Sequence, residues 1–83
     1  MDYLKQGILV LATMEMAKRR RGSSFCPSDV VRWLYPNDWR HFMEEEMEAA
    51  IWLFNQNLLE IRQDGNLIDQ NYLPEAPVRL NIK

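Results

Sequence analysis

The side chains with chemistry to offer in this sequence are few: one cysteine, one histidine and a run of carboxylates. Cys26 directly precedes Pro27-Ser28-Asp29, a helix-start pattern. A thiol at a helix N-terminus ionises more readily because backbone N–H groups and the helix dipole favour the thiolate. Arg19, Arg20 and Arg21 are near it in sequence and add to the same effect. Cys26 is therefore a candidate reactive thiol, a thiol switch. The plainer reading, a small half-buried residue beside the helix start, is preferred because free cysteine is usually buried. Metal binding fails on the ligand count. A single His and a single Cys far apart cannot supply the three or four ligands of a zinc site. Glu44, Glu45, Glu46 and Glu48 read as the solvated face of an exposed helix with no cleft behind them. His41 beside them reads as an ordinary surface residue. The expectation is a protein that is not an enzyme, with no catalytic residues, no cofactor and no metal.

At 83 residues the chain is one domain, residues 1–83, with a small core and a thin stability margin. Its 47% hydrophobic and 27% charged residues exclude a disordered chain. No apolar run approaches the ~20 residues that cross a bilayer, so no membrane association is expected. Met1-Asp2-Tyr3 lacks the basic region of a signal peptide, and a lone cysteine excludes an internal disulfide. Both fit a cytoplasmic protein. The formal net charge of −2 removes the general attraction to phosphate that a basic domain has.

Those residues are positioned by three helices and a strand-rich tail. Leu4, Ile8, Leu11 and Ala12 mark one face of a first helix over roughly 3–18. Lys18 to Arg21 and then Gly22 form its stop signal. Pro27 is favourable at the first position of a second helix, with Asp29 in its first turn. Pro36 ends that helix, and Asn37 or Asp38 caps a third over about 39–57. Met43, Met47, Ala50, Ile51, Phe54 and Leu58 predict the core stripe of the third helix. Leu59, Ile61 and Gln63 alternate with Glu60 and Arg62 as a strand does. Asp64-Gly65 signals a two-residue hairpin, with Asn66-Leu67-Ile68 returning. After a loop holding Pro74 and Pro77, the alternation of Val78, Leu80 and Ile82 predicts a last strand. The order gives an α+β fold: a winged helix-turn-helix, three helices followed by a small β-hairpin and a three-strand wing. The runner-up, a three-helix bundle with a loose tail, leaves the alternation unexplained.

Four ordered patterns accompany that reading: Cys26-Pro27-Ser28-Asp29-Val30, then Asp38-Trp39-Arg40 with Met43, then Gln63-Asp64-Gly65, then Pro77-Val78-Arg79. Together, over about 8–82, they make a set that resembles a family of small, mostly bacterial winged-helix domains with no assigned function. The chain departs from the family pattern at Asn57 and Ala76, where glycine is usual. Asn tolerates the left-handed conformation of a helix stop, so the first change is mild. The resemblance implies the fold and a bacterial cytoplasmic setting, and it carries no catalytic residues.

Two binding surfaces follow from the pattern. In a winged helix the third helix enters the DNA major groove. Here its N-terminal part offers Arg40 and His41, and one turn later come the glutamates, which oppose phosphate. A DNA grip would rest on Arg19, Arg20, Arg21, Arg40 and the wing residues Arg62 and Arg79. The plainer account of residues 18–21 is a helix end answering its own dipole. The third helix also carries a second apolar stripe, Phe42, Ala49, Trp52 and Leu53. Either the chain's own first helix or the Tyr72-Leu73 loop covers that stripe, or it docks on a protein partner or a second copy. The preferred expectation is a protein-interaction or homodimerisation module working through Phe42, Ala49, Trp52 and Leu53. DNA binding is the alternative.

Overall fold

The computed structural model describes residues 7–63, 66–67 and 78–83. Helix α1 spans Ile8–Arg19, with Lys18 and Arg19 in its last turn. The chain then turns through Gly22 at φ 93°, a backbone that favours glycine. Helix α2 spans Pro27–Leu34, with Cys26 extended at its N-cap. The Cys26 N–H donates to Asp29 Oδ2 at 3.0 Å, and the Asp29 N–H donates to the Cys26 carbonyl at 2.9 Å. These two bonds satisfy donors that a helix start otherwise leaves open. Tyr35-Pro36 stops α2 as the sequence requires.

The third helical segment is not one continuous α-helix. Trp39–Phe42 forms a 3-10 turn, and α3 follows over Met43–Asn55. A Schellman motif ends α3: Leu58 N–H donates to the Leu53 carbonyl at 3.0 Å, and Asn57 N–H to the Phe54 carbonyl at 3.0 Å. Asn57, at φ 64°, takes the left-handed position where glycine was the expected residue. The stop therefore falls two residues before the sequence placed it.

Three antiparallel strands follow: β1 (Leu59–Gln63), β2 (Asn66–Leu67) and β3 (Arg79–Ile82), in the order β2-β1-β3. Gln63 pairs with Asn66, so the β1–β2 connection has the expected two-residue length; its residues, Asp64 and Gly65, lie outside the described residues. Ile68, Tyr72, Leu73, Pro74, Ala76 and Pro77 also lie outside them, as do Tyr3 and Leu4. Ile61 pairs with Leu80, which puts both on the buried face. The loop between α1 and α2 adds a bridge to the sheet: Phe25 and Leu80 exchange both backbone bonds, at 2.8 and 2.7 Å. Phe25 is thereby pinned and fully buried. Three helices followed by this sheet make an α+β arrangement consistent with a winged-helix fold.

Two helix faces differ from the expectation. On α1 the buried side is Leu9, Ala12, Thr13, Met16 and Ala17, together with Val10 and Met14. Ile8 is 57% exposed, so of the expected stripe Ala12 is buried and Leu11 half-buried while Ile8 turns away from the core. On α3 the buried residues are Glu46, Ala49, Ala50 and Leu53, spaced 3, 1 and 3 apart. Met43, Met47, Ile51, Phe54 and Leu58 lie half-buried on the flank of the core. The apolar letters misled because the buried line of α3 runs through small residues rather than the bulky methionines. Ala49 and Ala50 bring α3 near its neighbours, and the bulky methionines fill the margin.

Candidate functional site

Guanidiniums and indoles from three elements meet on one face. Arg19 and Arg20 stand at the end of α1 because a helix C-terminus favours cations. Arg32 and Trp33 point outward from α2 because Val30 and Val31 take its buried side. Trp39 and Arg40 come from the 3-10 turn. The Arg32 guanidinium lies 4.2 Å from the Trp39 ring centre and that of Arg40 lies 4.5 Å from it. The Arg19 guanidinium sits 5.5 Å from the centre of the Trp33 ring. Between α1 and α2 runs a cleft of about 330 Å³, lined by Met16, Arg19, Arg20, Asp29, Arg32 and Trp33.

The charge on this face is only partly answered. Arg19 pairs with Glu15 at 2.9 Å and Arg20 with Asp29 at 3.4 Å, both at the surface, where such pairs contribute at most about 1 kcal/mol. Arg21 is exposed, with no ion pair among the described residues. Counting Asp38 in the turn, five arginines (19, 20, 21, 32, 40) meet three carboxylates (15, 29, 38). Ten cations and twelve acids overall leave five against nine elsewhere, so the face is positive on a negative chain.

Of the six arginines expected to grip DNA, Arg19, Arg20 and Arg40 are brought into this group. Arg21 stands beside it. Arg62 and Arg79 are not part of it. Arg79 is tied to the α1–α2 loop: its Nε donates to Ser24 Oγ at 3.1 Å and its NH2 to the Ser24 carbonyl at 2.8 Å. Arg62 lies 3.8 Å from Glu60 on its own strand. The wing arginine at 79 therefore clamps the fold. Reading by cation runs missed Arg32, Trp33 and Trp39. The signal was present in the Val30-Val31 pair, which turns the two residues after it outward.

Cys26 is half-buried at the α2 N-cap, and Ser28 Oγ donates to its sulfur at 3.1 Å. The nearby Arg20 is turned to Asp29.

The expected interface stripe is divided. Leu53 is fully buried and offers a partner no surface. Phe42 stacks on Tyr35, with ring centres 4.1 Å apart, so α2's end covers it. Ala49 is buried, though it and the half-exposed Trp52 line a groove of about 530 Å³ with Ile8, Leu9, Glu45 and Glu48.

Glu46 corrects the reading of the glutamate run. Glu44, Glu45 and Glu48 are exposed, but Glu46 is fully buried and points at α1. Thr13 Oγ1 lies 2.8 and 2.9 Å from its two carboxyl oxygens and 2.7 Å from the Leu9 carbonyl. None of the ion pairs among the described residues reaches it. Burial pushes the Glu46 carboxyl up from 4.5 to about 8, against a smaller opposing effect of the Thr13 contact. The hydroxyl count agrees. Thr13 has one proton, and the Leu9 carbonyl only accepts. With Glu46 protonated, its O–H donates to Thr13 and Thr13 donates to the Leu9 carbonyl, so both hydroxyl protons have an acceptor. The expected core positions gave no hint of this, because a charged letter flanked by three like it reads as surface.

Among the described residues no three or more His, Cys, Asp or Glu side chains are grouped to hold a metal ion. No helix among them is long and apolar enough to cross a membrane. The fold and the site define a small α+β domain, three helices followed by a three-stranded antiparallel sheet, an arrangement consistent with a winged-helix-like fold. Residues 6–83 match the model of the family described as Protein of unknown function (DUF3253), and the chain belongs to that family. No curated protein matches the chain.

Proposed function

We propose that this domain is a non-catalytic binding module that holds nucleic acid by its phosphates through the arginine–tryptophan face. One observation carries the reading: three guanidiniums from three elements lie over two indole rings, and a fourth, that of Arg20, lines the cleft beside them, on a chain of net negative charge. Arginine suits this role because its planar fork matches phosphate oxygens and its flat face stacks on aromatics. The approach is from the α2 side. It leaves the exposed glutamates of α3 out of the major-groove position in which they would repel DNA. The test is fluorescence anisotropy against random-sequence nucleic acid over a series of salt concentrations. The wild type is expected to bind at ~50 mM salt with a steep log–log slope. Replacing Arg32 and Arg40 together by alanine is expected to reduce the slope by about two, one per lost phosphate contact. A flat titration of the wild type would overturn the reading.

A second reading keeps one observation in its favour. Ile8 is 57% exposed beside Trp52 in a groove flanked by Glu45 and Glu48. The groove's acidic rim complements the arginine face of a second copy, which favours self-association. Sedimentation of wild type and Trp52→Glu at low micromolar concentration separates the cases. A wild-type dimer lost in the variant supports it, and a monomer in both discards it.

A further inference from the structure

We infer that the nucleic acid held on this face is single-stranded, with a base stacked on Trp33. The inference rests on the phosphate-binding reading above and adds the strand state and the residue that selects it. Trp33 is 47% exposed, a large apolar ring left open on a small domain. The two indoles of the face differ in what covers them. Trp39 is half-buried, with two guanidiniums within 4.5 Å of its ring centre. Trp33 has one guanidinium, that of Arg19, at a looser 5.5 Å. A surface cation–π contact of that kind is weak, so a base can take the ring and release the arginine toward the phosphate.

The cleft supplies the rest of a nucleotide's needs. Met16 gives an apolar floor next to the ring, and Arg19, Arg20 and Arg32 line the same space of about 330 Å³. Asp29 at its edge is a carboxylate acceptor of the kind that takes N–H bonds from a base. A base inside a duplex has both faces stacked and cannot reach an indole. An unpaired base can, and stacking of this sort is tolerant of sequence because every base has a π face. The line from Arg40 through Arg32 to Arg19 and Arg20 then follows one sugar–phosphate backbone, with no second strand to place against the protein.

The experiment compares a labelled ~10-nucleotide single strand with its duplex, within the usual span of such sites, at fixed low salt. The strand is expected to bind about tenfold tighter, the scale of one stacked base. Trp33→Leu should bring the strand down to the level of the duplex measured with the same variant, while Trp33→Phe retains most of the preference. Far-UV circular dichroism checks that the variants fold. An abasic strand of equal length tests the same point on the wild-type protein, and should bind about tenfold more weakly than the normal strand. Equal binding of strand and duplex with a steep salt slope overturns the inference and leaves phosphate binding standing. An unchanged preference in folded Trp33→Leu, or full binding of the abasic strand, also overturns it. Binding of neither nucleic acid removes both readings.

Discussion

Replacing Glu46 by glutamine tests whether this domain carries a proton in its core. Burial raises the carboxyl from 4.5 to about 8, so the folded state holds its proton where the unfolded chain has lost it. The sign follows from linkage: stability is highest below pH 4.5, where both states are protonated, and falls as pH rises toward 8. Each pH unit in that window costs about 1.4 kcal/mol. At pH 7 the loss relative to pH 4.5 is thus about 3 kcal/mol, and near pH 9 it levels off at about 5 kcal/mol. A domain's whole stability is about 5–15 kcal/mol, so the effect is large. Glutamine cannot ionise, and its amide N–H donates to Thr13 Oγ1 as the acid O–H does. Urea unfolding of both proteins at pH 5, 6, 7, 8 and 9 gives the difference directly, because every other titrating group cancels. Glu46→Gln is expected to match the wild type closely at pH 5, to exceed it by about 3 kcal/mol at pH 7, and to gain no more above pH 9. A difference that stays constant from pH 5 to 9 would refute the buried proton.

Two further outcomes test the packing. Leu53→Ala should lower stability by about 2–5 kcal/mol in urea unfolding, the cost of a buried cavity, while Trp52→Ala on the next position should cost clearly less; equal costs would contradict the orientation of α3. Asn57→Ala should cost about 1 kcal/mol and Asn57→Gly almost nothing, since only the alanine is strained at φ 64°; an alanine variant as stable as the glycine variant would contradict the left-handed stop.

Local punctuation made most of the fold legible. Gly22, Pro27, Asp29 and Pro36 act through backbone geometry and caps within a few residues, and the end of α1 and both ends of α2 lie where they were expected, whereas α1 begins only at Ile8, after Gly7 at φ 113°. The alternation from Leu59 and from Val78 likewise gave β1 and β3 with the correct inward residues, Leu59, Ile61 and Leu80. What the letters hid is tertiary. Whether Glu46 or Met47 faces the core depends on which side of α3 approaches α1, and the two alanines that decide it are the least hydrophobic of the candidates. The arginine–tryptophan face was hidden for a related reason. Arg19, Arg32 and Arg40 are far apart in sequence, and only the packing of α1, α2 and the turn makes them neighbours.

The conflict between the proposed hold on phosphate and an acidic third helix eases once charge is placed in space. With Glu46 protonated, the count of ten cations against eleven ionised acids gives a net charge of −1 rather than −2. Of the remaining carboxylates of α3, Glu45 and Glu48 line a groove with Ile8, Leu9 and Val10 at the start of α1. The arginine cleft opens beside Met16, Arg19 and Arg20 at its end. Ten residues of helix, from Leu9 to Arg19, separate the two by ~15 Å. The screening length at physiological salt is about 8 Å, so these glutamates barely weaken the arginine field there. At 0.01 M salt the length is about 30 Å, and the two fields overlap. Nucleic-acid affinity should therefore rise less steeply at very low salt than the phosphate contacts alone dictate. Charge-reversing Glu45 and Glu48 to lysine should raise affinity strongly at 0.01 M and little at 0.15 M. An equal gain at both would mean that the acidic groove and the arginine face act as one surface.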